Sequence, residues 1–168
     1  MLQPRITPCL LIHKGGLVKT VGFKMPKYVG DPINAVKIFN EKEVDELIVL
    51  DIDASVNNNE PDYQTIAKLA AECRMPLCYG GGIKTTEHAK KIINLGVEKI
   101  AVSSEAIENI DIISSIAEEL GRQSVVIAID VQKKTTLFGS TYEIYTHNAT
   151  RNCKLDLFKF IKEAEDAG

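Results

Sequence analysis

Residues 76–104, PLCYGGGIKTTEHAKKIINLGVEKIAVSS, contain the pattern that decides the fold. The apolar run Pro76–Gly80 ends in the first of three consecutive glycines, and apolar residues at helical spacing then follow from Thr86 to Leu95. A second apolar run, Lys99–Ser103, comes shortly after that segment. Short, continuous apolar runs are typical of parallel strands that are buried on both faces. The stretch therefore predicts a strand, a helix and a second, parallel strand.

The same alternation of apolar runs and helical segments continues along the chain. It predicts βα units around a parallel sheet rather than a sandwich or a helix bundle. The other predicted strands are Arg5–Ile12, Glu46–Ile52 and Ser124–Asp130. The predicted helices span Asp31 to about Phe39 or Glu41, Asp62–Cys73, Thr86–Leu95, Ile107–Leu120 and Leu155–Ala167.

Residue types at the ends of the helical segments support these limits. Capping side chains and an early proline favour helix starts, whereas glycine favours a stop. The expected starts are Asp31-Pro32, Thr85 or Thr86, and Asp111, and the expected stops are Gly96 and Gly121.

Two long segments interrupt the βα pattern. His13–Gly30 is rich in Lys and Gly. Gln132–His147 has β-rich halves, Thr135–Phe138 and Tyr142–Tyr145, around Gly139-Ser140, and it is predicted to form an inserted hairpin. Both segments follow the carboxyl end of a strand, where barrels of βα units build their binding sites, so both are functional candidates.

Residues 1–168 are interpreted as one domain with five βα units. Two architectures remain open, an open doubly wound sheet and an incomplete barrel. In an incomplete barrel the first and fifth strands would expose unpaired edges. Those edges predict pairing with another chain or with a further C-terminal segment.

Composition narrows the classes of partner. A net charge of −3 and a pI near 5.7 argue against nucleic acid. No apolar run approaches the ~20 residues of a membrane span, so we expect a cytoplasmic protein that does not bind membranes. The four cysteines form no Cys-x-x-Cys pair, and neither a metal nor a cofactor is indicated.

A phosphate site is predicted after the third and fourth predicted strands. Successive glycines, Gly81 and Gly82 among them, let backbone amides approach an anion closely. Ser103 and Ser104 end the adjacent strand, where their hydroxyl groups can complete the same site. The alternative is a plain tight turn.

Charged residues also stand at both ends of the predicted strands. Asp51 and Asp130 end strands at the face where acid and base groups belong, although such acids also cap loops. Arg5, Glu46 and Lys99 begin strands at the other end. They either pair across the barrel axis or are solvated rim charges.

Several motifs together resemble one known family, the cyclase subunit of imidazole glycerol phosphate synthase. The resemblance extends over essentially the whole chain, in order. It is carried by Arg5-Ile6-Thr7-Pro8-Cys9-Leu10, Gly16-Leu17-Val18-Lys19, Gly30-Asp31-Pro32, Asp45-Glu46-Leu47, Leu50-Asp51-Ile52, Gly80-Gly81-Gly82-Ile83 and Val126-Ile127-Ala128-Ile129-Asp130. It implies the α/β fold of a (β/α)8 TIM barrel, of which this chain supplies about the first five βα units.

The resemblance also implies a site and two partners. A glutaminase subunit supplies ammonia through the barrel, and the phosphorylated substrate binds at the carboxyl ends of the strands. By this likeness Arg5, Glu46 and Lys99 belong to the gate for ammonia, and Asp130 is one of two catalytic acids. Phosphate contacts fall on Gly81, Gly82, Ser103 and Ser104, and Lys19 and Asp51 lie on the active face.

The second catalytic acid of the family is absent, because Leu11 stands at its position. Leucine transfers no proton, so the family's cyclase (lyase) reaction is in doubt. The run from Cys9 to Thr20 looks like a paralogous branch that accompanies sugar amidation in bacterial surface polysaccharide synthesis. We therefore expect a barrel that passes ammonia on. The alternatives are a working cyclase of histidine biosynthesis and a truncated chain without activity.

Overall fold

A computed structural model describes residues 4–136 and 139–168, which form a seven-stranded sheet with helices and a separate three-stranded sheet. The strands are β1 Cys9–His13, β2 Gly16–Val21, β3 Lys24–Gly30, β4 Leu47–Asp51, β5 Leu77–Gly80, β6 Lys99–Val102, β7 Val125–Ile127, β8 Asp130–Thr136, β9 Gly139–Thr146 and β10 Arg151–Asp156. The helices are α1 Pro32–Glu41, α2 Tyr63–Glu72, α3 Thr86–Asn94, α4 Ser104–Glu108, α5 Asp111–Leu120 and α6 Leu157–Ala167.

The five predicted parallel strands correspond to β1, β4, β5, β6 and β7. They lie side by side in chain order, and each pairs in parallel with the next. A doubly wound sheet reverses its strand order partway, whereas a barrel adds each unit on the same side of the last. This order excludes the doubly wound alternative and is that of a partial (β/α)8 TIM barrel.

The main core lies between one face of the parallel sheet and the helices. Alternate residues of each strand point to this face, as Leu47 and Val49 do in β4, and both are fully buried. They pack with helical residues such as Ile66 and Ile113 in one apolar cluster. The alternate strand residues that do not face the helices, such as Leu50, point to the opposite face. Alternation along the strands thus gives the sheet a helix-covered side and an inner side.

The predicted helix starts at Asp31 and Thr85 are confirmed by capping hydrogen bonds, whereas α5 begins at Asp111 without a side-chain capping bond from its N-cap residue. The Asp31 carboxylate accepts the Asn34 amide at 2.9 Å, and Thr85 Oγ1 accepts the His88 amide at 3.2 Å. Gly121 follows α5 with φ +89°, a positive φ that favours glycine, and the helix ends there. No helix among the described residues is long and apolar enough to cross a membrane.

The segment His13–Gly30 is not an irregular excursion. Its β2 and β3 form an antiparallel hairpin, and β2 pairs with β1 through Leu11↔Val18 and Ile12↔Leu17. The prediction of an unpaired edge at the first strand is therefore wrong, because the chain covers that edge itself. The fifth parallel strand, β7, pairs with β6, and its use for self-association stays a prediction.

Three predicted elements have different limits. The first strand begins only at Cys9, and the helix predicted over Ile107–Leu120 is split into α4 and α5. The break lies at Asn109, which is extended and whose side chain accepts the Asp111 amide at 3.3 Å. Such side-chain bonds compete with helical ones. The fifth parallel strand ends at Ile127, because Asp130 already belongs to the second sheet.

The predicted hairpin is present but its pairing differs. Thr136 pairs with Gly139 and Thr135 with Ser140, so Gly139-Ser140 lies in β9 rather than in the turn. The predicted Thr135–Phe138 half runs into residues 137 and 138, which are outside the described residues. A third strand, β10, follows where the sequence analysis placed no strand, and α6 begins only at Leu157 after the cap Asp156.

Candidate functional site

A cavity of about 290 Å³ lies at the carboxyl ends of the parallel strands. Seven residues that the sequence analysis selected lie in its wall, which are Leu11, Asp51, Gly81, Gly82, Ser103, Ser104 and Asp130. They come from five segments that are far apart in the chain. The parallel order of the strands brings them together, since neighbouring strands end at the same edge.

The glycine turn after β5 has a conformation that only glycine accommodates here. Gly81 and Gly82 have φ of +127° and +72°. A Cβ atom on Gly81 would lie 2.6 Å from the Asp51 carbonyl oxygen, and one on Gly82 would lie 2.7 Å from that of Asn59. The turn therefore presents bare backbone to the cavity, as an anion site requires.

Ser103 and Ser104 stand on the neighbouring strand end. Both are partly buried and line the cavity, and the Ser103 side chain makes no capping hydrogen bond to α4. Its hydroxyl group is thus not engaged in capping. Two hydroxyl groups beside the backbone of the glycine turn can hydrogen-bond the oxygens of a phosphate group.

Asp130 and Leu11 face the same cavity from opposite ends of the row of parallel strands. Burial raises the pKa of Asp130, which favours the protonated carboxyl group and suits a group that exchanges a proton. Leu11 lies in register with Leu50, which pairs in turn with Gly80. The first strand therefore contributes an apolar floor where a second acid would stand.

Asp51 lines the cavity and also accepts backbone hydrogen bonds in the turn after β4. Its Oδ1 accepts the amides of Asp53 at 2.9 Å and Ala54 at 3.3 Å, which shapes the turn after β4. Burial raises its pKa, and the charge of Asp53 adds to that effect. Asp53 itself binds His13 Nδ1 at 2.7 Å, and so ties the ends of β1 and β4 together.

Lys19 is placed differently from the other selected residues. It is exposed on β2, between Val18 and Thr20. Thr20 lines the cavity, and alternation along a strand turns Lys19 to the other face. In this conformation of the β2–β3 hairpin Lys19 lies outside the cavity wall.

The opposite end of the sheet holds a close ion pair. Lys99 Nζ lies 2.7 Å from Glu46 Oε1, and Glu46 is 9% exposed. Arg5 lies exposed in the segment before β1, with no ion pair to a described residue. Burial and the nearby Glu46 carboxylate raise the pKa of the Cys78 thiol to about 12, so that thiol is neutral. The structure thus joins two of the three predicted gate charges.

Among the wall residues that were not selected from the sequence are Lys84, His147 and Asn148. His147 and Asn148 directly follow β9 of the inserted hairpin. The available signal was that this insertion follows a strand end at the binding face. No group of three His, Cys, Asp or Glu side chains in the part of the chain that the structure describes is arranged to hold a metal ion.

Comparison with known proteins identifies the family. A family model described as histidine biosynthesis protein matches residues 5–168. The chain belongs to this family. A Vibrio vulnificus relative, imidazole glycerol phosphate synthase subunit hisF3, is 55% identical over 168 residues, which are 100% of this chain and 64% of the relative. The Pseudomonas aeruginosa subunit hisF2 is 54% identical over 100% of this chain and 66% of its own length.

Relatives in this family differ in how similar they are to the chain. The imidazole glycerol phosphate synthase subunit HisF of Lactococcus lactis strain IL1403 is 39% identical over 100% of this chain and 64% of its own length. The subunits hisF2 and hisF3 thus resemble the chain more than this one does. The chain spans 64–66% of the length of these three relatives.

Proposed function

We propose that this chain receives ammonia from a glutaminase partner and passes it on, for the amidation of a nucleotide-linked sugar in surface polysaccharide synthesis. The observation that carries the proposal is the contrast between Leu11 and the Glu46–Lys99 pair. The charges expected at the ammonia entrance are kept, while the cavity has leucine where the family's reaction needs a second acid.

The loss of one acid lowers the rate of the cyclase reaction and leaves the passage of ammonia unaffected. A positioned proton transfer contributes about 10²–10⁴-fold to a rate. Asp130 alone supplies one such group, and Leu11 supplies none. Ammonia that reaches this cavity then reacts at a separate enzyme. The hisF2 and hisF3 relatives, at 54–55% identity, support a branch apart from the Lactococcus lactis subunit.

The proposed glutaminase contact lies at the amino ends of the parallel strands. Glu46 and Lys99 stand there as a half-buried pair, and the exposed Arg5 precedes β1. Charged groups at this end can steer a partner with complementary charges to it, and charges of the partner can compete with the pair. The cavity at the other end keeps a phosphorylated small molecule as its proposed ligand, through the glycine turn and the two serines.

The first experiment tests the reaction. The full-length protein is expressed in a host that lacks the cyclase, on medium without histidine, and we expect no growth. A cyclase subunit that restores growth serves as the positive control. Robust growth supported by this chain would overturn the proposal.

The second experiment tests the ammonia entrance. Glutamine hydrolysis by the glutaminase is measured with the chain and with its Lys99→Ala and Arg5→Ala variants. We expect stimulation by the chain and its loss in both variants. Lys90→Ala removes an exposed lysine of the Lys90–Glu119 pair and serves as the control. Unchanged stimulation by Lys99→Ala contradicts the gate.

The second candidate function is a cyclase of histidine biosynthesis that tolerates Leu11. The observation in its favour is that Asp130 and the glycine turn share one cavity. The growth experiment separates the two candidates directly. Growth favours the cyclase, and its absence together with glutaminase stimulation favours the transfer of ammonia.

A further inference from the structure

The turn between β9 and β10, residues 147–150, forms one side of the cavity. His147 and Asn148 line the cavity wall, and both are partly buried. The His147 carbonyl oxygen accepts the Thr150 amide at 3.2 Å and the Thr150 hydroxyl at 2.6 Å. We call these four residues the β9–β10 turn.

Two contacts hold this turn over the cavity from different sides. Asn148 Nδ2 donates to the Ile52 carbonyl oxygen at 2.9 Å, next to the end of β4. Arg151, directly after the turn, donates to Glu108 of α4 at 2.6 Å. Glu108 follows the two serines of the cavity along the chain. The turn is therefore tied to both neighbours of the glycine turn, the β4 end and α4.

The backbone of the turn is unusual. His147, Asn148 and Ala149 have φ of +54°, +56° and +58°, so three successive non-glycine residues are left-handed. Only Asn is common in this region, and strained backbone persists where surrounding contacts enforce it. The contacts of Asn148 and Thr150 do so here. This turn is the segment that places His147 in the cavity wall.

The charges of the wall explain what an imidazole adds there. Four carboxylates line the cavity, from Asp51, Glu105, Glu108 and Asp130. A phosphate group entering it needs positive charge, and the wall contains two groups that can carry it, Lys84 and His147. Lys84 already hydrogen-bonds Asn58.

We propose that His147 is a ligand-binding residue whose ring donates a hydrogen bond to an oxygen of a phosphate group in the cavity. Nδ1 lies 3.1 Å from Thr146 Oγ1, so Nε2 is the ring nitrogen left to donate to the phosphate oxygen. Asn148 is a positioning residue. This inference rests on the phosphate site of the proposed function and adds a donor from outside the parallel strands.

The chain offers a direct assay, because it contains three histidines. His147 reports on the β9–β10 turn. His88 Nδ1 lies 3.2 Å from the Gly82 carbonyl oxygen and reports on the glycine turn. His13, bound to Asp53, does not belong to the described wall of the main cavity and serves as the reference. Their ring proton signals in NMR are followed while inorganic phosphate is added, with sodium chloride of equal ionic strength as control.

We expect saturable shifts of the His88 and His147 signals and none at His13. His147→Asn suits the left-handed backbone and removes the ring, and it should weaken phosphate binding about tenfold, as for a charge-assisted hydrogen bond. The matched variant His13→Asn should keep the affinity. Asn148→Gly keeps the backbone conformation but loses the contact to Ile52, so it should reduce the His147 shift while the His88 shift remains.

The outcomes separate this inference from the phosphate site itself. A saturable His88 shift with a silent His147, or with full affinity in His147→Asn, overturns the role of His147 and leaves the phosphate site standing. Absence of any saturable shift overturns both. A His13 shift as large as the others shows unspecific binding and also overturns the inference.

Discussion

The two ends of the parallel sheet differ in how their charged side chains are partnered. At the amino ends, Lys99 and Glu46 lie 2.7 Å apart and neutralise one another. At the carboxyl ends, Asp130 faces an open cavity of about 290 Å³, and burial raises its pKa. The paired end fits the proposed gate, and the other end, where Asp130 has no ion pair with a described residue, fits the proposed binding site.

The largest expected effect on stability comes from a side chain added to the glycine turn at the carboxyl ends of the strands. Gly81→Ala places a Cβ atom 2.6 Å from a backbone oxygen, and we expect it to lower the free energy of unfolding by about 3 kcal/mol. Gly15→Ala is the control, since Gly15 also has positive φ but open space around it. It should cost about 1 kcal/mol. Urea unfolding measures both, and equal losses would contradict a steric origin.

The next expected effect is on cyclase turnover, when an acid is restored at position 11. In Leu11→Asp a carboxyl group returns to the cavity floor, and if this change restores the acid–base pair with Asp130, cyclase turnover should rise about 10²-fold. Leu11→Asn introduces similar size and polarity without a transferable proton and should show no gain. Turnover is measured with ammonium salts as the nitrogen source. An equal gain in both variants would rule out proton transfer as the cause.

Breaking the pair at the amino ends has a smaller effect on stability. Glu46→Gln leaves the Lys99 ammonium group half-buried with a weaker acceptor, so we expect a loss of about 1–2 kcal/mol. Glu119→Gln breaks the exposed pair with Lys90, N···O 2.8 Å, and should cost less than about 0.5 kcal/mol. Thermal and urea unfolding compare the two variants. Similar losses would mean that burial adds nothing to the Glu46–Lys99 pair.

The smallest expected effect is the pH dependence of Asp130. Its pKa is raised in the folded chain, so folding favours the protonated form, and stability is lost as pH rises from the unfolded value through the folded one. Asp130→Asn should therefore be slightly more stable than the parent at pH 7. The advantage should disappear below about pH 3, where the carboxyl group is protonated in both the folded and the unfolded state. A constant difference across this range would point to packing instead.

Much of the fold was predictable from the sequence because its signals are local. Continuous apolar runs place β4, β5 and β6 within about one residue, and capping residues such as Thr85 place the helix starts. One error arose where contacts between residues far apart in the chain decide the structure. Nothing local in His13–Gly30 says that its hairpin pairs with β1. Nor does the sequence show that Asn109 interrupts a helix, because helical spacing continues across it.

The part of the candidate site that could be predicted from the sequence was likewise the part with local signals. The glycine turn and the serines stand at strand ends, and parallel order then brings them to one cavity. His147 was beyond reach, because its approach depends on a hydrogen bond between residues 96 positions apart, Asn148 and Ile52. The place of Lys19 on the outer face likewise follows from the pairing register of β2 with β1.

The sequence by itself determined the βα order, the glycine turn after β5 and the presence of Leu11 in the first strand. These follow from local periodicity and residue type. Tertiary structure alone decided which side chains meet, since partners such as Glu46 and Lys99 are 53 positions apart. Register between strands selects those meetings, and a single-residue shift would turn each side chain to the other face of the sheet.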